Sequence, residues 1–283
     1  MTVIETTRFP RLARARHHTV GRIDDFGGIA LFFWRALLAT PRALTHYRKE
    51  TLRLIAEIAM GTGALAMIGG TVVIVGFLTL ATGGVIAVQG FSSLTDVGVE
   101  ALTGFFAAFI NVRIAAPVIA GIGLAATIGA GATAQLGAMR VSEEIDALEV
   151  MAIDSVTYLV STRIVAGMIA VVPLYSLAVI ASFLASRFAT VEIYGQSGGV
   201  YDHYFSTFLI PTDILWSFVQ AIAMAITIML IHTYYGYNAA GGPAGVRTAP
   251  GNAVRTSLLA VVTGTPLVSL AVYGGDGNLN LSG

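Results

Sequence analysis

The chain has no cysteine and one lysine, and only 11% of its 283 residues are charged. Without cysteine there are no disulfides and no thiolate metal sites, which leaves the compartment open. A Walker A loop needs Gly-Lys-Ser/Thr, and Lys49 stands in Arg48-Lys49-Glu50. The chain therefore supplies no P-loop, and any process here that runs on ATP must draw on another polypeptide. The scarcity of charge excludes an ordinary soluble domain, in which about a quarter of residues are charged. Histidines are equally uninformative as ligands: His17 and His18 adjoin in a basic segment, His46 and His203 stand alone, and none has metal-site spacing. No metal site is expected.

What is present is apolar: 55% hydrophobic residues and a mean hydropathy of +0.78 describe an integral membrane protein. The 32 glycines suit helices that pack backbone to backbone in lipid. Ten of the 16 Lys and Arg precede residue 54, against Glu5, Asp24, Asp25 and Glu50, a net +6. Residues 1–20 read as a disordered basic arm on an anionic membrane face. Residues 22–50 read as a helix lying in the interface, bringing Phe32, Phe33, Trp34, Leu37 and Leu38 with Arg35 among them, with Pro41 ending the apolar run. A signal peptide is the alternative, but Trp34-Arg35 interrupts its apolar core and more basic residues follow.

Five spans follow, near residues 54–81, 102–136, 158–183, 214–235 and 254–272. The first extends toward Gln89-Gly90, and a bend near Gly83-Gly84 is expected. The second holds Arg113 and Pro117 and is too long for one straight crossing, so its first third reads as a half-helix and Pro117 as a kink. The third is bounded by Arg163 and Arg187, with a kink at Pro173. Orientation follows from Lys and Arg. With the N-terminus inside, 14 fall in cytoplasmic segments and only Arg187 outside, Arg113 lying within a span. The expected fold is an all-α membrane protein, N-terminus in and C-terminus out.

Between spans two and three lies an acidic island, Gly137 to Asp154, carrying Glu143, Glu144, Asp146, Glu149 and Asp154. Ser142 can cap a helix, the acids suit its positive end, and Ile145, Leu148 and Ala152 recur at helical spacing. This predicts a short cytoplasmic amphipathic helix, either solvated or docked in a partner's groove.

Two patterns need weighing. Gly121, Ala125, Gly129, Thr133 and Gly137 repeat every four residues and make one stripe of the second span flat, for packing within the chain or for a subunit interface. Gly195-Gln-Ser197-Gly-Gly199, with His232 in a later span, matches a rhomboid-like intramembrane serine protease. Topology argues against it: Ser197 falls outside and His232 near the cytoplasmic end of span four, across about 30 Å of hydrocarbon, while a nucleophile and its base need about 3 Å. A Gly-Ser turn is the better reading, and a purely structural membrane scaffold is the remaining alternative.

The island from Met139 to Asp154 resembles the cytoplasmic signature of the MlaE/YrbE permeases, the membrane subunits of ABC transporters that move lipids with Mce proteins. Gly236-Tyr-Asn-Ala239 and Ala244-Gly-Val246 extend the resemblance, which covers roughly residues 25–275 and looks most like the actinobacterial YrbE branch. The resemblance implies one permease domain over residues 21–283 in a bacterial inner membrane. It implies a coupling helix in which Arg140, Glu143, Glu144, Ile145, Asp146, Leu148 and Glu149 meet a separate ABC ATPase, which binds the ATP and Mg; no cofactor belongs to this chain. It also implies Mce-domain proteins on the extracytoplasmic side, a lipid or fatty-acid substrate, no catalytic residue and no nucleic-acid partner. Spans one, two and five would border a lipid path, for which Phe77, Leu80, Val88 and Arg113 are candidates. The chain departs from its relatives where they carry an Arg-Glu pair before Gly-Pro: here Arg113-Ile114 precedes Ala116-Pro117, and Thr127 and Gln135 replace a later Arg and Glu. A heterodimer with a paralogous permease is expected, this chain being its less polar half.

Overall fold

In a computed structural model, the backbone is described for residues 10–60 and 65–273, and side chains for residues 27–57 and 71–271. All regular structure among them is helical. The helices are α1 (Pro10–His46), α2 (Arg48–Met60), α3 (Leu65–Thr95), α4 (Thr103–Ile110), α5 (Ala116–Leu124), α6 (Ala130–Val141), α7 (Glu144–Val150), α8 (Thr162–Phe188), α9 (Gly198–Phe208), α10 (Pro211–Tyr237) and α11 (Gly242–Tyr273). Five stretches are long and apolar enough to cross a membrane, as expected: Thr71–Thr95, Glu100–Val141, Val156–Ile193, Pro211–Tyr237 and Gly242–Ala271.

Their boundaries differ from the sequence reading at each end of the chain. Pro41 does not end α1, which runs on to His46. The helix begins at Pro10, within the segment expected to be an arm; residues 1–9 lie outside the described residues, as does the C-terminal tail from 274. Within the described residues the first crossing covers Thr71–Thr95 of α3, and α2 packs against α8; the expected start near residue 54 runs through residues 61–64, which lie outside the described residues. α3 stays helical through Gly83-Gly84. Gly83 instead lets α3 and α8 touch: a Cβ there would lie 2.7 Å from Ser182 O.

The second crossing is one continuous run of helical turns where a separate half-helix was expected. Its 42 residues span about 63 Å at 1.5 Å per residue, twice the hydrocarbon layer. Two π-turns, Asn111–Ala115 and Ala125–Gly129, join α4, α5 and α6. The first precedes Pro117, whose missing N–H would otherwise leave a carbonyl unpaired. Freed carbonyls find side chains: Ser217 donates to Val112 O, and Asn111 Nδ2 donates to Ser186 Oγ at 3.0 Å, which donates to Gly83 O at 2.9 Å. Pro173 likewise sits inside the unbroken α8.

The main core joins α3, α5, α8, α10 and α11 through Val75, Ile119, Leu124, Val171, Tyr175, Ile228 and Val261. Small residues set the spacing. Gly121, Ala125, Gly129, Thr133 and Gly137 all face α10 and α11 of this chain: Gly121 meets Ile228 and Val261, Gly129 the His232 ring, and Gly137 Val246. Thr133 Oγ1 lies 2.8 Å from His232 Nδ1. The stripe is thus spent on packing within the chain.

Candidate functional site

The island folds as expected into a helix, but its cap and its apolar face are not the expected ones. Ser142 closes the preceding helix: its Oγ lies 3.0 Å from Ala138 O and 2.9 Å from Glu144 Oε1. Glu143, with φ +59°, makes the left-handed turn that lets α7 fold back. Ile145 is wholly buried, between Leu136 and Leu159, and Leu148 packs beside them. Both apolar residues thus anchor α7 to its own spans rather than offering themselves to a partner.

The acids divide in the same way. Glu149 accepts from Ser155 Oγ at 2.8 Å and Tyr237 Oη at 3.2 Å, tying α7 to the end of α10. Asp146 pairs with Arg140 at 2.8 Å. Asp154 accepts from Thr157 Oγ1 at 2.7 Å at the start of the third crossing, with Arg35 at 3.4 Å. Partial burial pushes the Asp154 carboxyl up, but the Thr157 hydrogen bonds and the Arg35 charge outweigh it and hold the carboxyl below its usual range. Glu143 and Glu144 remain exposed. At the other end of α7, Val150 and Met151 are 88% and 61% exposed. Neither was singled out in the sequence; the signal was their place just past Glu149. Two carboxylates at one end of the helix and two bare apolar side chains at the other give the tip formed by α7 an amphipathic outer surface, suited to a groove with basic rims.

Within the bundle, α2, α3, α6 and α8 border an open cavity of about 820 Å³, lined among others by Leu54, Thr71, Thr127, Ala132, Val172 and Leu177, with Glu57, Gln135 and Arg163 among its described polar residues. Arg163 is buried in the third crossing, not placed at its boundary as the sequence suggested. Phe77, Leu80 and Val88 do not line this cavity; they stand exposed on the outer face of α3. Arg113, the fourth candidate for a path, is engaged elsewhere: Nη2 lies 2.6 Å from Asp213 Oδ2 on the first turn of α10, and Cζ sits 4.2 Å over the Phe109 ring.

Ser197 and His232 are not brought together. Ser197 precedes α9, while His232 is packed in the bundle against Gly129 and Thr133. Among the described residues, no group of three or more His, Cys, Asp or Glu could hold a metal.

A family model described as Permease MlaE matches residues 60–271. The chain is 29% identical over 153 residues to the Probable ABC transporter permease protein of Rickettsia bellii, covering 54% of this chain and 59% of that one. It is 26% identical over 167 residues to the Intermembrane phospholipid transport system permease protein MlaE of Haemophilus influenzae, 59% of this chain and 64% of that one. It is 28% identical over 166 residues to Protein TRIGALACTOSYLDIACYLGLYCEROL 1, chloroplastic, of Arabidopsis thaliana, 59% of this chain and 47% of that one. The chain spans about three fifths of the length of the curated relatives it matches first.

Proposed function

The chain belongs to the permease MlaE family, and from that premise we propose that it is the non-enzymatic membrane subunit of an ATP-driven lipid transporter. What carries the reading is the tip of α7. Glu143, Glu144, Val150 and Met151 project from a helix that one buried isoleucine, Ile145, holds to the second and third spans. A groove on an ATPase that grips this tip pulls on both spans at once. The chain's single lysine lies outside any P-loop sequence, so the ATP site is not among these 283 residues.

Lipid as cargo is supported by the Haemophilus relative, whose name specifies phospholipid transport. The membrane is then the bacterial inner membrane, with the α7 tip on the cytoplasmic side by the excess of Lys and Arg there. Burying Arg163 removes one residue from that excess without altering its sign. The fifth and first crossings bury only 22% and 33% of their apolar windows, against 50–56% for the other three. We place a second, paralogous permease over those two faces, with the lipid path between them along Phe77, Leu80 and Val88. Mce proteins would deliver lipid for import at the opposite end, near residues 191–213. Two conformations biased by ATP binding are all such a subunit needs.

Pull-down of the tagged chain from native membranes, followed by mass spectrometry, tests the assembly. An ABC ATPase, a related permease and Mce-domain proteins are the expected partners. Recovery of the chain alone under conditions that preserve other membrane complexes contradicts the reading.

A further inference from the structure

Tyr237 ends α10 at a junction of several elements. Its hydroxyl donates to Glu149 Oε1 of α7 at 3.2 Å and lies 2.7 Å from Ser155 Oγ, which donates to the same carboxylate oxygen at 2.8 Å. Ser155 is buried, immediately before the third crossing. The Tyr237 ring faces another helix, its centroid 5.6 Å from that of Phe32 in α1. Two apolar clusters meet at this ring: one holds Ile145 of α7 with Leu136 and Leu159, the other Ala36 of α1 with Val156 and Val160. Among the described residues, Tyr237 is the one side chain packed on both. Gly236 holds it in place by bringing the backbone onto α6, where a Cβ would lie 2.8 Å from Thr133 O.

The contacts around it differ in what they can transmit. The hydroxyl bonds are directional and charge-assisted, so a tilt of α7 carries them along or breaks them. Ile145 meets Leu159 through apolar contact, which has no preferred direction. Arg35 also reaches this region through Asp154, but at 3.4 Å and with Arg35 67% exposed the pair contributes little. Ser161 Oγ donates to Ala36 O at 2.9 Å, which holds α1 to the third crossing without touching α7.

We infer that Tyr237 is the positioning residue through which movement of α7 reaches α1 and the end of the fourth crossing, so that α1 shifts with the nucleotide state of the ATPase. The inference rests on the transport reading, in which an ATPase grips the tip of α7.

The test uses the full chain with its co-purified ATPase, and hydrogen exchange resolved by peptide with and without ATP and vanadate, which trap the nucleotide. In the wild type, trapping is expected to change exchange over both 144–150 and 29–46. Tyr237→Phe keeps the ring on Phe32 and removes the hydroxyl bonds. The ATPase should stay bound through the untouched Glu143 and Glu144, and the response of 144–150 should persist while that of 29–46 is lost. Phe32→Leu breaks the link from the other side: before trapping, 144–150 should exchange as in the wild type, and the response of 29–46 should again be lost. A hydroxyl that merely holds α7 in place would not produce that second loss. A response of 29–46 that is absent from the wild type or survives in either variant overturns the inference, as does loss of the ATPase from Tyr237→Phe alone. Should Tyr237→Phe fail to fold, Phe32→Leu decides. If the wild type brings down no ATPase, the transport reading fails and this inference with it; with the ATPase bound, only the inference is at stake.

Discussion

The helices α7 and α9 lie in the connections at opposite ends of the third crossing, and they are held by different contacts. α9, like α7, has one fully buried side chain, but aromatic rings hold it. Tyr201 is buried and stacks on Phe205, whose ring meets Phe183 edge-on at 4.8 Å, and Phe208 packs on Phe105. A Cβ on Gly104 would lie 2.9 Å from Phe205 N and closer still to Tyr201 O. Arg187 clamps Asp202 with bonds of 2.8 and 2.9 Å, and that hydrogen bonding holds the Asp202 carboxyl below its usual range. α7 has one fully buried side chain and an exposed, acidic outer surface. One helix closes an end of the bundle with aromatic packing; the other presents acids to its surroundings, as the proposed handle would.

That contrast ranks the expected effects of substitution. Tyr201→Ala should cost about 3–5 kcal/mol, as other aromatic-to-alanine changes in cores do, and should lower the melting temperature in detergent most. Tyr201→Phe should be neutral or slightly stabilising, because the buried hydroxyl has no partner to lose. Ile145→Ala should cost about 2–4 kcal/mol locally. Its signature is faster hydrogen exchange confined to residues 144–150, with exchange across α9 unchanged. If exchange rose equally at both ends, the two helices would not be independently held.

Glu149→Gln is smaller. It keeps the shape but weakens the charge-assisted bonds from Ser155 and Tyr237, costing about 1 kcal/mol and loosening α7 from α10 in the same exchange experiment. The smallest effect is that of Asp154. Its folded pKa is depressed below the ordinary value of 3.8, so its stabilisation is present above about pH 4 and is lost as pH falls through the lower folded value. Asp154→Asn should flatten the melting temperature between pH 5 and 3 relative to wild type.

Much of this was legible in residue order. Five apolar runs locate the membrane, and the acidic island and the lone lysine are what the proposed handle and its outside ATPase rest on. Pro117 does not divide the second crossing because a proline breaks a helix only where nothing else satisfies the freed carbonyl; here a π-turn and Ser217 do so, and composition does not reveal a π-turn. The direction of Ile145 was equally hidden. In a seven-residue helix, apolar spacing defines a face but not whether its own chain or a partner covers it. Arg163 reads as a span boundary because the apolar run begins beside it, yet the helix starts at Val156 and draws it inside. The pairing of Arg113 with Asp213 joins residues a hundred positions apart, beyond any local pattern.

The handle itself is tested by the double substitution Glu143→Lys, Glu144→Lys. Both side chains are exposed and outside the core contacts of α7, so the protein should melt as wild type does. The ATPase activity that co-purifies with the tagged chain from native membranes should fall at least tenfold, as expected when two charges on a docking surface are reversed. Undiminished co-purifying ATPase activity in a normally folded variant would contradict α7 as the point of attachment.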